Sequence, residues 1–473
     1  MLLKQRHHGA ERATEPGGGD VRLGMVLAAT AMAMFATNLD FFALNLSIPG
    51  MARELHTSTT DMQWAISGFM LALGAFLIPG GRLGDILGRR RMLITGTVIF
   101  GLTSLAGGLA PSAGLLIAAR LLQGVGAAIL FPLSIAVVTN AFPEDRRKRA
   151  IGNLYGLAAA ATAVGPFVGG ALTELLSWRA VLLINVPTAA IAIALMVRSV
   201  PESRDETVPR RIDFSGLAAV ALGIGAVTFA VDRGDVWGWD SARTIGLFVA
   251  GAALLVLFVA IERRTKFPLV DLELFRNRRF VSVTLLGMTA NIAFVVTTFA
   301  ATVYLQDVRG YSPLQGGFIF LAASAMQAVA GPLSGRLAEH FNIPRTMLIA
   351  IGVGALGLLM IAAGLGIGLY AVALAVFGLG YGLCWAMLSV GTQTVVPQDR
   401  AGEASGVSLS IVIGMAGLAV AVVASLIEVV AGGGTGEGEA IEQILRVIAI
   451  GSVVIAIPLA LAGGRGSSSP GRT

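Results

Sequence analysis

The sequence predicts an all-α membrane protein of fourteen transmembrane helices, arranged as two parallel six-helix halves plus two inserted central helices. Three observations predict it: a composition too apolar for water, a ladder of spanning-length apolar runs, and an internal repeat. Of the 473 residues, 55% are apolar and only 13% charged, and mean hydropathy is +0.79. A soluble chain carries roughly 25% charged residues. The composition therefore excludes a soluble enzyme, a nucleic-acid reader and a disordered scaffold. The single cysteine, Cys384, excludes an intramolecular disulfide.

A bilayer-spanning helix needs ~20 mostly apolar residues. In the first part of the chain such runs fall near 23–49, 61–80, 92–110, 112–139, 150–173 and 180–197. Two more lie near 213–231 and 244–261. The last six lie near 280–305, 313–335, 345–364, 368–396, 403–430 and 443–463. The short alternating segments of a β-barrel are absent. Of the 34 Lys and Arg residues, only Arg53, Arg179, Arg233, Arg243, Arg309 and Arg446 fall on the side opposite the N-terminus. Arg120 lies inside a span, and the remainder flank the N-terminal side. This bias places both termini in the cytoplasm and requires an even number of spans.

The repeat has a constant offset of 254 residues. Gly81-Arg82-Leu83-Gly84-Asp85 recurs as Gly335-Arg336-Leu337-Ala338-Glu339. Gly124 and Gly126 recur as Gly378 and Gly380, Pro143 to Arg146 as Pro397 to Arg400, and Ala150 and Gly152 as Ala404 and Gly406. Spans one to six thus map onto spans nine to fourteen in the same orientation, the parallel-repeat design of major facilitator transporters. The expected organisation is a cytoplasmic tail (1–21), a first half (22–198), a linker with the inserted seventh and eighth spans (199–262), a second half (263–463) and a final cytoplasmic tail (464–473).

Four motifs carry chemistry. In the first span, Leu39-Asp40-Phe41-Phe42-Ala43-Leu44-Asn45-Leu46-Ser47-Ile48-Pro49 contains the only acid deep in an apolar run. A charged carboxylate there is costly, so it is poised to gain and lose a proton. The fourth span carries Arg120, Gln123, Gly124 and Gly126. At 1.5 Å per residue Asp40 and Arg120 both sit ~12–14 Å below the outer face, a depth at which they can meet. Two readings follow: a proton carrier whose charge Arg120 controls, or a permanent structural ion pair.

Between the second and third spans lies Gly81-Arg82-Leu83-Gly84-Asp85-Ile86-Leu87-Gly88-Arg89-Arg90-Arg91, glycines for tight turns and arginines for acids or anionic headgroups. The fifth span carries Gly156, Gly165, Pro166, Gly169 and Gly170, which permit a bend and close helix contact. Positions 254 further on are Ala419, Val420, Val423 and Ala424, while Arg120 maps to Leu374 and Asp40 to Phe294. The halves share architecture but not chemistry.

With these motifs the whole chain resembles the fourteen-helix drug:proton antiporter family of the major facilitator superfamily, the multidrug efflux type. It departs from the family pattern at Phe42 (usually threonine), Ser47 (usually alanine) and Ile86 (usually basic). The resemblance implies proton coupling by Asp40 and Arg120, and a cytoplasmic latch built from Gly81, Asp85, Gly88, Arg89 and Arg90. It also implies an antiporter motif at Gly156, Gly165, Pro166, Gly169 and Gly170. Polar and aromatic residues on helices that line the cavity in this family are Asn45, Gln123, Asn291, Gln327, Tyr381 and Trp385.

The expected function is export of hydrophobic or amphipathic small molecules against protons, in a bacterial cell membrane. With one deep carboxylate, neutral, zwitterionic or monocationic cargo is expected. The same fold could instead translocate a lipid or lipid precursor; a non-transporting sensor ranks lower, for want of a large soluble domain. No enzyme activity, cofactor, metal or nucleic acid is expected, and the partners are cargo, protons and membrane lipids, around a monomer. The four histidines (His7, His8, His56, His340) lie in tails or loops. Gly352, Gly354 and Gly357 match a dinucleotide fingerprint but lie inside a span, where they serve helix packing.

Overall fold

The computed structural model describes residues 18–204, 213–265, 270, 272–364, 366–397, 401–432 and 436–464. The expected contributions of His7, His8 and the repeat positions Gln398 to Arg400 lie outside the described residues, as does most of both tails.

Among the described residues, fourteen helices are long and apolar enough to cross a membrane: α1 (Arg22–Glu54), α2 (Thr59–Leu87), α3 (Arg89–Gly108), α4 (Ala113–Ala141), α5 (Glu144–Leu175), α6 (Trp178–Ser199), α7 (Phe214–Val231), α8 (Ala242–Arg264), α9 (Arg278–Val308), α10 (Pro313–His340), α11 (Ile343–Ile361), α12 (Ile367–Thr394), α13 (Ala404–Ala431) and α14 (Glu437–Gly464). The same residues contain no strand. Side-chain caps start several helices: Ser112 accepts from Leu115 N–H, Ser241 from Thr244 N–H, and Ser312 forms a capping box with Gln315 before α10. Helix α1 tightens to a 3₁₀ turn at Leu44–Ser47, and α9 ends in a π turn at Tyr304–Val308.

The packing repeats with the sequence. In the first half α2 and α3 pack on α4, α3 packs on α6, and α1 contacts α4, α5 and α6. In the second half α10 and α11 pack on α12, α11 on α14, and α9 on α12, α13 and α14. The two halves meet along α2–α13 and α5–α10, which are equivalent seams under the repeat. Glycines set how closely these helices approach. A methyl on Gly74 would lie 2.7 Å from the Gly414 nitrogen, and one on Gly317 would lie 2.8 Å from the Pro166 carbonyl oxygen. Gly354 and Gly357 likewise accommodate Tyr381 and the Phe377 backbone, the packing role expected of them.

The inserted pair forms a hairpin, with α7 on the α2–α13 seam and α8 packed chiefly on α7. Trp64 of α2 meets Phe229 of α7 with ring centroids 6.4 Å apart, and Arg233 bridges to Asp61 at 3.3 Å. One seam between the halves is therefore covered by the insert, whereas the α5–α10 seam is not.

Burial along the two central helices shows which way the halves part. On α1, Met32, Phe35, Asn38, Phe41 and Phe42 keep partial exposure. On α9, Val281, Leu285, Met288, Asn291 and Phe294 do the same. Their neighbours in each half cover the other sides, so these stripes face one another across an opening. Beyond it, Ala43 to Pro49 and Val295 to Gln306 are all buried. The opening thus leads from the face on which α1 begins, the N-terminal face, and stops at Phe42 and Phe294.

Candidate functional site

Asp40 and Arg120 meet. Both are essentially inaccessible, at 1% and 0% exposure, and Arg120 Nη1 donates to Asp40 Oδ2 at 2.5 Å. The other carboxylate oxygen accepts from Asn185 Nδ2 at 2.6 Å and from Gln123 Nε2 at 3.2 Å. Ser104 Oγ accepts from both amides, at 3.0 Å and 2.6 Å. Arg120 also donates to Gln123 Oε1 at 2.6 Å and, through Nε, to the Ala65 carbonyl at 2.8 Å. Its guanidinium lies 4.3 Å from the centroid of the Phe69 ring. The cluster draws on α1, α2, α3, α4 and α6, so five helices fix one carboxylate. Hydrogen bonds to both carboxylate oxygens and to Arg120 Nε and Nη1 offset the cost of burying the pair, while Arg120 Nη2 is buried without a partner.

Two members, Asn185 and Ser104, are not foreseeable from the sequence. Neither carries a charge, and amides and hydroxyls inside spans usually serve helix contacts, so nothing singles them out. The cluster lies within the first half, not on the opening between halves.

The glycine and proline motif of α5 works as a close-packing strip near the opposite face. A Cβ on Gly165 would stand 2.7 Å from Phe42 Cβ, one on Gly169 would overlap the Ala43 backbone, and one on Gly170 would overlap the Pro313 carbonyl of α10. Pro166 presents its carbonyl to Gly317. Gly156, in contrast, has open space around it, so it takes no part in this contact.

Three polar contacts join the halves at the same level. Gln306 Nε2 donates to the Leu46 carbonyl at 2.8 Å, the Glu174 carboxylate accepts from Leu314 N–H at 2.9 Å, and Arg53 pairs with Asp307 at 3.1 Å. Arg53 and Asp307 are separated by 254 residues, the repeat offset. A contact between equivalent positions lies on the pseudo-two-fold axis itself, so this ion pair marks the centre of the closed face.

The loop motif between α2 and α3 is held by its own half. Asp85 accepts from Arg89 at 2.8 Å. Gly88 adopts φ +117°, a backbone turn that side chains rarely tolerate, and the Glu202 carboxylate fills the space where a Cβ would be. That carboxylate accepts from the N–H groups of Arg90 and Arg91 at the start of α3, and Arg90 Nη2 donates to the Val197 carbonyl. Gly81 packs on Pro132. The described bonds of Arg89 and Arg90 reach α6 and the segment after it, while Asp85 pairs with Arg89 inside the motif. Glu202 thus caps the start of α3 through backbone N–H groups, and its carboxylate lies 3.9 Å from Arg91 Nε.

The six expected cavity residues divide. Asn291 lies on the exposed stripe of α9 and donates to the Val412 carbonyl at 3.2 Å. Gln327 is half-buried against Gly382, and Trp385 is half-buried on α12. Asn45 is buried beyond Phe42 and donates to the Phe41 carbonyl at 3.1 Å. Gln123 belongs to the Asp40 cluster. Tyr381 is buried and its hydroxyl meets Ser452 Oγ at 3.1 Å. Burial corrects the assignment of Asn45, Gln123 and Tyr381 to the cavity wall in this state.

The model of the Major Facilitator Superfamily matches residues 30–422. The chain belongs to the Major Facilitator Superfamily. It is 34% identical over 386 residues to "Multidrug resistance protein Stp" of Mycobacterium tuberculosis, covering 81% of this chain and 72% of that one. It is 30% identical over 382 residues to the "Tetracenomycin C resistance and export protein" of Streptomyces glaucescens, covering 81% and 71%. The "Methylenomycin A resistance protein" of Streptomyces coelicolor is 30% identical over 364 residues, covering 76% of each. Among solved structures, a POT family transporter in complex with a thioalcohol-conjugated peptide superposes with a TM-score of 0.70 over 93% of this chain and 96% of that one. At 13% identity that likeness concerns the fold alone. The protein is a multi-pass membrane transporter of small molecules, as the span pattern and repeat suggest, and its superfamily is one of carriers rather than enzymes.

Proposed function

We propose that this protein exports hydrophobic and amphipathic small molecules in exchange for protons, by alternating access between its halves. The observation that carries the reading is the Asp40–Arg120 pair, an ionisable group at bilayer depth for which the scaffold recruits five helices. The names of the relatives, which concern multidrug and antibiotic resistance, support export as the direction.

The excess of basic residues puts the N-terminal face, and both termini, in the cytoplasm. The described state then opens inward. Cargo arrives between α1 and α9 from the cytoplasm or the inner leaflet while Asp40 is an anion satisfied by Arg120, Gln123 and Asn185. Separation of the outer contacts at Gly170, Gln306 and Arg53 exposes the cavity outward, and a proton from outside neutralises Asp40 and releases its hold on Arg120. Reclosure returns that proton to the cytoplasm. The proton gradient supplies the drive without a cofactor, and the loop arginines rest at the anionic headgroups around a monomer.

Energised cells expressing the protein should accumulate less of a fluorescent amphiphile than control cells, and an uncoupler should abolish the difference. A difference that survives the uncoupler contradicts proton exchange.

A further inference from the structure

The inner end of the opening is built from aromatic rings. Phe42 of α1 and Phe294 of α9 meet across the halves with centroids 6.2 Å apart and planes at 74°. Behind Phe294, Phe377 stacks in parallel at 5.2 Å with planes 9° apart. Tyr381 abuts Phe377 at 5.3 Å and is anchored through its hydroxyl to Ser452. Behind Phe42 stands Phe41 at 4.8 Å, edge-on. Phe377 and Tyr381 are fully buried, whereas Phe42 and Phe294 keep partial exposure. The Phe294 ring is therefore held in a fixed plane by a buried backing stack, while it still has surface on the opening.

A seal alone needs only apolar bulk. A ring plane fixed by a parallel neighbour, itself fixed by a hydrogen-bonded tyrosine, is a preorganised surface, and such surfaces favour flat π systems in offset-stacked or edge-on geometry. About one helical turn toward the N-terminal face on each helix sits an amide. Asn38 spends its Nδ2 on the Met34 carbonyl at 2.8 Å, and Asn291 spends its Nδ2 on Val412. Each amide keeps for a ligand its oxygen, an acceptor, and the second hydrogen of its Nδ2, a donor.

We infer that Phe42 and Phe294 form the cargo-recognition site, and that the cargo is a planar aromatic molecule bearing hydrogen-bonding groups at its edge. The flat ring system lies against the surfaces that Phe42 and Phe294 keep on the opening, and its polar edge groups hydrogen-bond with Asn38 and Asn291. The inference rests on the efflux reading above and narrows it to a substrate class.

The test uses the full-length protein in proteoliposomes with an imposed pH gradient and two monocations of equal charge. One is ethidium, which is planar and carries amino groups; the other is decyltrimethylammonium, which is aliphatic. Wild type, Phe42→Leu, Phe294→Leu and Phe294→Tyr are compared, each first shown to be monodisperse with an unchanged melting temperature. Loss of one aromatic contact should raise the apparent KM for ethidium roughly two- to tenfold. Phe294→Leu and Phe42→Leu should show that rise for ethidium and a smaller one for decyltrimethylammonium, and Phe294→Tyr should keep the wild-type KM. If both leucine variants handle ethidium as wild type does, or if both cations lose equally, the recognition site is elsewhere and the efflux reading stands. A wild type that moves only the aliphatic cation overturns the substrate class. A wild type that moves neither overturns the efflux reading itself.

Discussion

In the first half Asp40, Arg120 and Gln123 form a charged, hydrogen-bonded cluster, whereas the positions 254 residues later hold Phe294, Leu374 and Phe377. The helices that carry them pack alike: α1 against α4 in one half, α9 against α12 in the other. Gln123 donates to Asp40 at 3.2 Å, and its counterpart Phe377 stacks on Phe294 at 5.2 Å. The same backbone geometry thus supports a titratable site on one side and an aromatic surface on the other. Burying a charge pair costs several kcal/mol per ion before hydrogen bonds offset it, and a two-fold protein need meet that cost only once. In the proposed cycle the first half handles the proton and the second supplies the better-braced part of the cargo surface.

The sharpest break of this comparison is at the paired positions Arg120 and Leu374. Arg120→Leu strands the buried Asp40 carboxylate and should lower stability by about 3–5 kcal/mol. Leu374→Met conserves volume in an apolar site and should cost less than about 1.5 kcal/mol. Adding Asp40→Asn to Arg120→Leu removes the stranded charge and should recover part of the loss. Thermal unfolding of the purified variants in detergent measures all three, and equal losses at Arg120 and Leu374 would erase the distinction between the halves.

A second, smaller contrast lies at Gly170 and its equivalent Ala424. The α13 helix already accommodates a methyl, but at Gly170 one would overlap the Pro313 carbonyl. Gly170→Ala should therefore cost about 1–3 kcal/mol of packing at the closed face. It should also speed thiol labelling of a cysteine placed at Ser312, while Ala424→Gly leaves that labelling slow.

The axial ion pair has the smallest expected effect. Arg53 is 65% exposed, so its contact with Asp307 is worth about 0.2–1 kcal/mol and weakens with salt. Arg53→Ala should raise labelling at position 312 slightly at low ionic strength and not at high. Exchange of the two residues, Arg53→Asp with Asp307→Arg, should restore the wild-type rate because the two positions are equivalent under the repeat.

The scaffold is largely legible in the sequence because bilayer thickness imposes a length on every span and the repeat fixes a constant offset. Asp40 and Arg120 stand out for a related reason: a charge in a hydrocarbon setting is rare, and counting residues from the outer face puts both at one depth. Asn185 and Ser104 offer no such signal, since uncharged polar residues are common in spans. The rings of Phe42 and Phe294 do leave traces, one as a departure from the family pattern and the other as the counterpart of Asp40. Apolar side chains in an apolar run do not reveal which of them face an opening. Glu202 at the start of α3 gives no signal either, since it lies outside the spans, where charged residues are common.

If the proton site belongs to the first half and drives transport, neutralising Asp40 must uncouple the carrier without destroying it. Proteoliposomes containing Asp40→Asn, which keeps the side chain's size and hydrogen-bonding shape without its charge, test this most directly when an inward-acidic or inward-alkaline gradient is imposed. The expected result is that the gradient no longer drives cargo movement in this variant, although cargo still exchanges across the membrane down its own gradient. Gradient-driven accumulation at the wild-type rate would contradict a proton site at Asp40.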